Sequence, residues 1–338
     1  MSSPEQFDRK SSIITRSLER EEQPTTWQRE LAEAFRNPRE LLDFLGIEPD
    51  TDAGQSLACQ SFSMRVPRGF ARRMRRNDPR DPLLLQVLPQ SQESIAIPGF
   101  DTDPVGDLDA VIDDGLIQKY DGRTLVIASG ACGIHCRYCF RRHFPYDEFR
   151  GHGNLLESLT RHLSENPSVS EVILSGGDPL SNKDIKINNI LDIVDNFYSV
   201  SRVRIHSRLP VVVPARITDN LIGFLARPRS AKLVMVLHIN HPREIDSEVH
   251  RAVSKLASSG ITLLNQAVLL KGINDSANTQ QALSEACFSA GILPYYLHML
   301  DPVAGAGHFA VSVARARTIR AEMRRRLPGY LVPRLVHE

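Results

Sequence analysis

The chain has no excess of either charge. Its 338 residues carry 41 basic and 40 acidic side chains, a formal net charge of +1. That balance removes any general argument for binding nucleic acid or an anionic membrane surface. Long apolar runs are also missing: none approaches the roughly 18 residues of a membrane span. The opening MSSPEQFDRKSSIITRSLEREEQPTT lacks the apolar stretch of a secretory signal. The expected location is the cytosol, with no nucleic-acid and no membrane partner. Cysteine is scarce, five in the whole chain, and in a reducing compartment such thiols do not form a disulfide framework. What is present is 41% hydrophobic and 24% charged residues, a composition that supports a sizeable core. The length allows one large domain or two small ones.

The few cysteines are not scattered. Cys132, Cys136 and Cys139 lie within ACGIHCRYCF, spaced C-x-x-x-C-x-x-C. Cys59 and Cys287 stand alone and read as small buried hydrophobes. A structural zinc asks for four closed ligands, usually two pairs. Here one cluster stands alone, and His135 and His143 lie awkwardly close to complete it. A 4Fe–4S cluster on three thiolates explains the spacing better, because its fourth iron is left open for a substrate or cofactor.

Residues 1–26 read as a mobile tail. From Trp27 to Ile47 apolar residues recur three and four apart, a helical pattern that Pro38 divides in two. The arginine-rich run from Arg65 to Pro89 suits either a solvated helix face or a docking face for an acidic protein. Residues 90–118, rich in Asp, Pro and Gly, read as a connecting segment, so that 27–118 forms an N-terminal helical region. Beyond it, from 119 to 338, short β-rich runs alternate with helical stretches. The runs are TLVIA from Thr124, EVILSGG from Glu171, RVRIHSRLP from Arg202, LVMVLHINHP from Leu233, TLLNQAVLL from Thr262 and LPYYLHML from Leu293. Alternation of this kind means βαβ units and a parallel sheet. Six units are too few for a closed eight-fold barrel, so the expected fold is α/β, a partial (β/α)6 barrel. Polar residues gather where the strands end, among them Ser175, Asp178, His206, Arg208, His238, Asn265, Gln266, His298 and Asp301. In parallel α/β folds that end carries the site.

The cysteine motif after a first barrel strand resembles the radical S-adenosylmethionine (SAM) superfamily. The resemblance implies that the open iron chelates SAM and that one electron from the cluster cleaves it to a carbon radical. Tyr138 matches the aromatic position near the cofactor's adenine. Ser175, Gly176, Gly177 and Asp178 match the family's glycine-rich strand end. More widely, CRYCFRRHFPY, LSGGDPL, RIHSRLPVVVPARIT, HINHPREI, LLNQAVLLKGIND, PYYLHMLDPVAGAGHF and GYLVP resemble lysine 2,3-aminomutase from about Arg65 onward. Within that family the chain looks most like the branch that serves β-lysylation of elongation factor P. This implies conversion of (S)-α-lysine to (R)-β-lysine with pyridoxal 5′-phosphate (PLP) as carrier of the moving amino group. It also implies L-lysine as substrate, a one-electron donor, and a functional link to elongation factor P and its lysyl ligase. A homo-oligomer is left open.

By matching position, Arg141 resembles the arginine on the substrate carboxylate, where a planar fork suits the group. Asp301 and Glu338 resemble two acids on the substrate's ε-ammonium. Lys119 and Arg123 resemble basic residues on the PLP phosphate, with Arg208 a further candidate. The family's PLP lysine falls beyond the position of Glu338, so the expectation is either that the sequence is part of a longer chain, the favoured reading, or that the protein lacks this lysine and takes PLP as a preformed imine with the substrate. Lys271, in LLKGIND, is in a different motif and is not that lysine. The rival readings are an aminomutase of amino-acid metabolism acting on lysine or another amino acid such as glutamate, and a metalloprotein whose metal serves structure alone.

Overall fold

The computed structural model describes residues 25–48, 58, 60–148 and 155–337. Most of the expected tail, Cys59 and Glu338 lie outside the described residues. Pro38 does divide the first helical stretch. It occupies the first turn of α2 (Pro38–Leu45), where its missing N–H costs nothing, and Asn37 caps the helix by accepting from the Arg39 N–H at 2.9 Å. α1 (Thr26–Ala32) precedes it, and α3 (Arg68–Ala71) follows. Trp27, Leu31, Leu41, Leu42 and Leu45 are buried.

Two arginines of the arginine-rich run turn inward, while Arg68, Arg72, Arg75, Arg76 and Arg80 stay exposed. Arg65 donates to Leu31 O at 3.1 Å and to Cys132 O at 3.2 Å. Arg73 donates to Glu244 O at 2.6 Å and Val211 O at 2.8 Å. These two side chains tie the N-terminal region to the barrel, and present neither a solvated nor a docking face.

One nine-stranded sheet follows chain order throughout. β1 (Val111–Asp113) and β2 (Leu116–Tyr120) are antiparallel, and β2 pairs antiparallel with β3 (Arg123–Ser129). The β1–β2 turn uses Gly115 at φ +71°, a left-handed backbone that glycine takes without strain. β1 and the start of β2 thus fall inside the segment expected only to connect. From β3 the sheet is parallel: β4 (Glu171–Gly176), β5 (Arg202–Ser207), β6 (Lys232–His238), β7 (Thr262–Val268), β8 (Leu293–His298) and a short β9 (Arg334–Val336). The crossovers are helical: α4 (Leu155–Glu165), α5 (Asp184–Asp195), α6 (Leu209–Val212) with α7 (Asp219–Leu225), α8 (Ser247–Ser258), α9 (Ala277–Ser289) and α10 (Val313–Arg326). The fold is the expected α/β partial barrel, with the six expected parallel strands and β9 added at one edge. Among the described residues no helix is long and apolar enough to cross a membrane.

Burial along the strands shows where the lumen lies. In β5, Val203, Ile205 and Ser207 are buried, whereas Arg204 and His206 are half-buried. Side chains alternate across a strand, and Val203 and Ile205 join the apolar core with helix residues such as Ile187, Ile190 and Leu221. The half-buried set therefore faces inward. β7 repeats the pattern, with Leu263 and Ala267 in the core and Leu264, Gln266 and Val268 half-buried.

Candidate active site

The loop after β3 carries all three clustered thiols. It is clamped between the barrel end and the N-terminal region. Arg137 N–H donates to Gln86 O at 2.9 Å and His135 N–H to Arg65 O at 3.0 Å. The Arg137 guanidinium donates to Glu93, Phe62 O and Ala58 O. From the barrel side, Gly177 N–H donates to Ser129 O at 2.6 Å and Asp178 N–H to Ala131 O at 2.8 Å.

Both glycines of SGGD are needed for that approach. Gly176 has φ +106°, and a Cβ there would lie 2.5 Å from Ser129 O. A Cβ on Gly177 would lie 2.5 Å from Ala131 O and 2.8 Å from Ala131 C. These obstacles are backbone atoms and cannot rotate away. Gly177→Ala should therefore displace the cysteine loop and destabilise the fold by about 1–3 kcal/mol, the usual cost of overpacking. Thermal unfolding together with the iron content of reconstituted protein measures it, and wild-type values for both would refute this reading of the contact.

Cys132, Cys136 and Cys139 are partly exposed at this mouth. Burial raises the pKa of Cys132, and Cys139, Asp178 and Cys136 raise it further. Cys139 is pushed up to about 11 by burial and then by Cys136. Thiols that repel one another's negative charge in this way fit a cationic iron–sulfur group, which would relieve the repulsion. Among the described residues no three His, Cys, Asp or Glu side chains converge as around a single ion. The thiolates of a four-iron cluster each bind a different iron and need not converge.

A buried polar network backs the loop. Arg208 donates to Cys136 Sγ at 2.7 Å, Tyr138 Oη at 2.6 Å, Gln86 Oε1 at 2.7 Å and Glu244 Oε2 at 3.0 Å. Four of its five N–H groups are thus engaged within the protein. Its position was readable from the sequence, but partners 36 to 122 residues away were not. An N–H donor on a cluster thiolate is one of the levers that set a cluster's potential. Tyr138 is buried, accepts from Asn240 Nδ2 at 2.7 Å and stacks on His238, with ring centroids 5.7 Å apart. Asp178 is also committed internally. It accepts from Ser207 Oγ at 2.7 Å and from the N–H groups of Leu180, Arg208 and Leu209, locking the end of β4 to that of β5. Burial raises its pKa despite those bonds. Its carboxylate holds the two loops together.

Arg141 lies beside Ser175, donating to its Oγ at 3.0 Å, and pairs with Asp107 at 2.6 Å. Lys119 pairs with the other oxygen of the same carboxylate at 2.5 Å. Asp107 is buried. Burial pushes its pKa upward, but Arg141 and Lys119 outweigh that and leave it below the usual carboxylate range. No local pattern singles out this aspartate, which lies in the Asp-rich segment 90–118 among several equivalent candidates. Asp301 follows β8 at the same end, in a loop paired with the N-terminal region through Ala304 N–H to Asp101 O at 2.7 Å. Arg123 is not brought there. It begins β3, at the opposite end from the cysteines, with its guanidinium 4.6 Å from the Tyr120 ring centroid.

A partial α/β barrel that gathers a C-x-x-x-C-x-x-C loop and an SGGD strand end at one mouth defines a radical SAM enzyme. No family model matches the chain. It is 45% identical to an L-lysine 2,3-aminomutase of Escherichia coli over 314 residues, 92% of this chain and 91% of the relative. To the L-lysine 2,3-aminomutase of Haemophilus influenzae it is 44% identical over 320 residues, 94% of each. To that of Clostridium subterminale it is 30% identical, over 92% of this chain and 74% of the relative. Among solved structures, a radical SAM methyltransferase from Sphaerobacter thermophilus is similar over 66% of this chain and 68% of that one, at 19% identity and a TM-score of 0.45. The chain belongs to the L-lysine 2,3-aminomutase family of radical SAM enzymes and is an isomerase.

Proposed function

We propose that the protein converts (S)-α-lysine to (R)-β-lysine in the cytosol, with PLP as a second cofactor, and that the product serves modification of elongation factor P through a lysyl ligase. A one-electron donor completes the system. Moving an amino group from C2 to C3 requires breaking an unactivated C–H bond, which no side-chain base can do usefully. When bound, the cluster and SAM supply a carbon radical for that bond and PLP supplies a carrier for the nitrogen.

The residues of the chain then bind, orient and exclude water. Cys132, Cys136 and Cys139 are the thiolates available to the cluster. Arg141 is the carboxylate anchor: its guanidinium is buried beside Ser175 on the cysteine loop, and this observation carries the reading. Burial pushes its pKa down, but Asp107 outweighs this and raises it, so the side chain is a permanent cation. Asp107 also fixes the direction of the fork. Asp301, at the same end of the barrel, is the acid for the ε-ammonium. An acid at the same mouth as the carboxylate anchor favours a substrate with a terminal cation, and disfavours glutamate.

Asp301→Asn tests the assignment. It should lower kcat/KM for L-lysine about 10- to 100-fold, the loss of one charge-assisted contact. The measurement is β-lysine formed at varied lysine concentration. Unchanged kinetics would remove Asp301 from the site.

A further inference from the structure

The arginine-rich run keeps a face that the site at the barrel mouth does not use. Residues 65–80 hold seven arginines and one acid, Asp78. Arg65 and Arg73 point inward, but Arg68, Arg72, Arg75, Arg76 and Arg80 are exposed, as is Arg36 just ahead of α2. Among the described residues only Arg75 of these exposed arginines pairs with an acid, Asp78 at 3.8 Å. Like charges crowded on one surface repel one another and do nothing for the fold. A partner of opposite charge relieves them.

This face lies against the cysteine loop. Phe35 and Val66 exchange backbone N–H bonds at 2.9 Å, which brings Arg36 and Arg65 together. Burial lowers the Arg65 pKa, and Arg36 lowers it further. Arg65 donates to Cys132 O, and its own carbonyl accepts from His135 N–H. Arg68 stacks 4.4 Å from the Phe35 ring centroid and donates to Glu33 O at 3.0 Å. Burial raises the Glu30 pKa and Arg72 opposes it, which places Arg72 beside α1 as well. His135 is half-buried, its Nδ1 donates to Ser63 O at 2.9 Å, and its ring stacks on Phe62 with centroids 5.4 Å apart. The next residue is Cys136. Residues 63–65 thus touch the cysteine loop on one side and are flanked by Arg36 and Arg68 on the other.

Radical SAM chemistry requires one electron on the cluster, and that electron comes from outside the chain. Electron tunnelling weakens steeply with distance, so the donor has to sit close. A donor seated over the barrel mouth would cover the substrate site proposed above. The N-terminal face offers a route from the other side, with a charge to hold the donor.

We propose that the exposed arginines around Arg36, Arg68 and Arg72 are the docking face for an acidic one-electron carrier protein, which reduces the cluster from the Ser63 and His135 side of the loop. In that step the carrier loses one electron and the cluster gains it, and no proton or atom is transferred. The inference requires only the radical SAM class and holds whichever amino acid is turned over.

Flavodoxin in its hydroquinone state is the probe, and stopped-flow absorbance follows reduction of the reconstituted cluster at low and high ionic strength. Arg36→Glu/Arg72→Glu should slow reduction about 10- to 100-fold at low salt, and the gap should close at high salt. Arg36→Gln/Arg72→Gln, with half the charge change, should shift the rate less and in the same direction. Dithionite, which needs no docking face, should still reduce the cluster fully in both variants and support wild-type SAM cleavage. Arg324→Glu/Arg325→Glu makes the same charge change on the exposed side of α10 and should leave the flavodoxin rate near wild type. Equal flavodoxin rates in wild type and Arg36→Glu/Arg72→Glu would overturn the proposal. So would equal slowing in the α10 variant, the mark of net charge alone, or loss of dithionite reduction in the glutamine variant, the mark of a structural role. Transfer RNA bound by wild type and lost by Arg36→Glu/Arg72→Glu, with the flavodoxin rate unchanged, would assign the face to nucleic acid instead.

Discussion

Alanine at any one of Cys132, Cys136 or Cys139 should abolish SAM cleavage and leave the barrel folded. Each thiolate of a three-cysteine cluster holds a different iron, so no two can cover for the third. The three side chains stand partly exposed on a loop, so truncating them removes little core packing. Cys287 is the matched control. It is fully buried and packs in the apolar core of the barrel, and Cys287→Ala should cost stability while sparing cleavage. The measurement is 5′-deoxyadenosine released under dithionite, with iron content and circular dichroism on the same samples. Retained cleavage in any single loop variant would remove that cysteine from the cluster.

Glu93→Ala should have the largest effect on stability. Glu93 Oε1 accepts from Arg137 Nε at 2.8 Å, and Oε2 accepts from Arg137 Nη2 at 2.5 Å and Arg142 Nη2 at 2.8 Å. The three side chains are 0%, 0% and 1% exposed. Without the carboxylate, two guanidinium groups remain buried with no counter-charge, a change that typically costs about 3–5 kcal/mol. Both arginines lie in the cysteine loop, so iron retention should fall along with the denaturation midpoint. Glu93→Gln keeps acceptor oxygen and volume but not charge, and should cost less. A loss below about 1 kcal/mol in Glu93→Ala would mean the triad is solvated or replaced, against the buried geometry.

What could be read from the sequence was local. The β-rich runs became β3 to β8 because short β-rich runs alternating with helical stretches are the local signature of βαβ units. The three cysteines and the SGGD strand end are short motifs, and their joint position at one mouth follows from topology. β9 is only three residues long and β1–β2 sits among Asp and Gly, so neither left a pattern to detect. The supporting charges were not legible for a different reason. Asp107 meets Arg141 across 34 residues, Glu93 meets Arg137 across 44, and Arg208 meets Gln86 across 122. No periodicity connects residues so far apart. Arg123 and Lys119 show the same limit in reverse: near each other in sequence, one points to the far mouth and the other to Asp107.

The central claim is an aminomutase that acts on lysine. Its most direct test is anaerobic reconstitution with iron and sulfide, followed by SAM, PLP, dithionite and L-lysine. β-Lysine, resolved by chiral chromatography, and 5′-deoxyadenosine are quantified together. The account predicts (R)-β-lysine in excess of the SAM consumed. Deoxyadenosine formed without any β-lysine would contradict it, leaving a radical SAM enzyme with a different substrate.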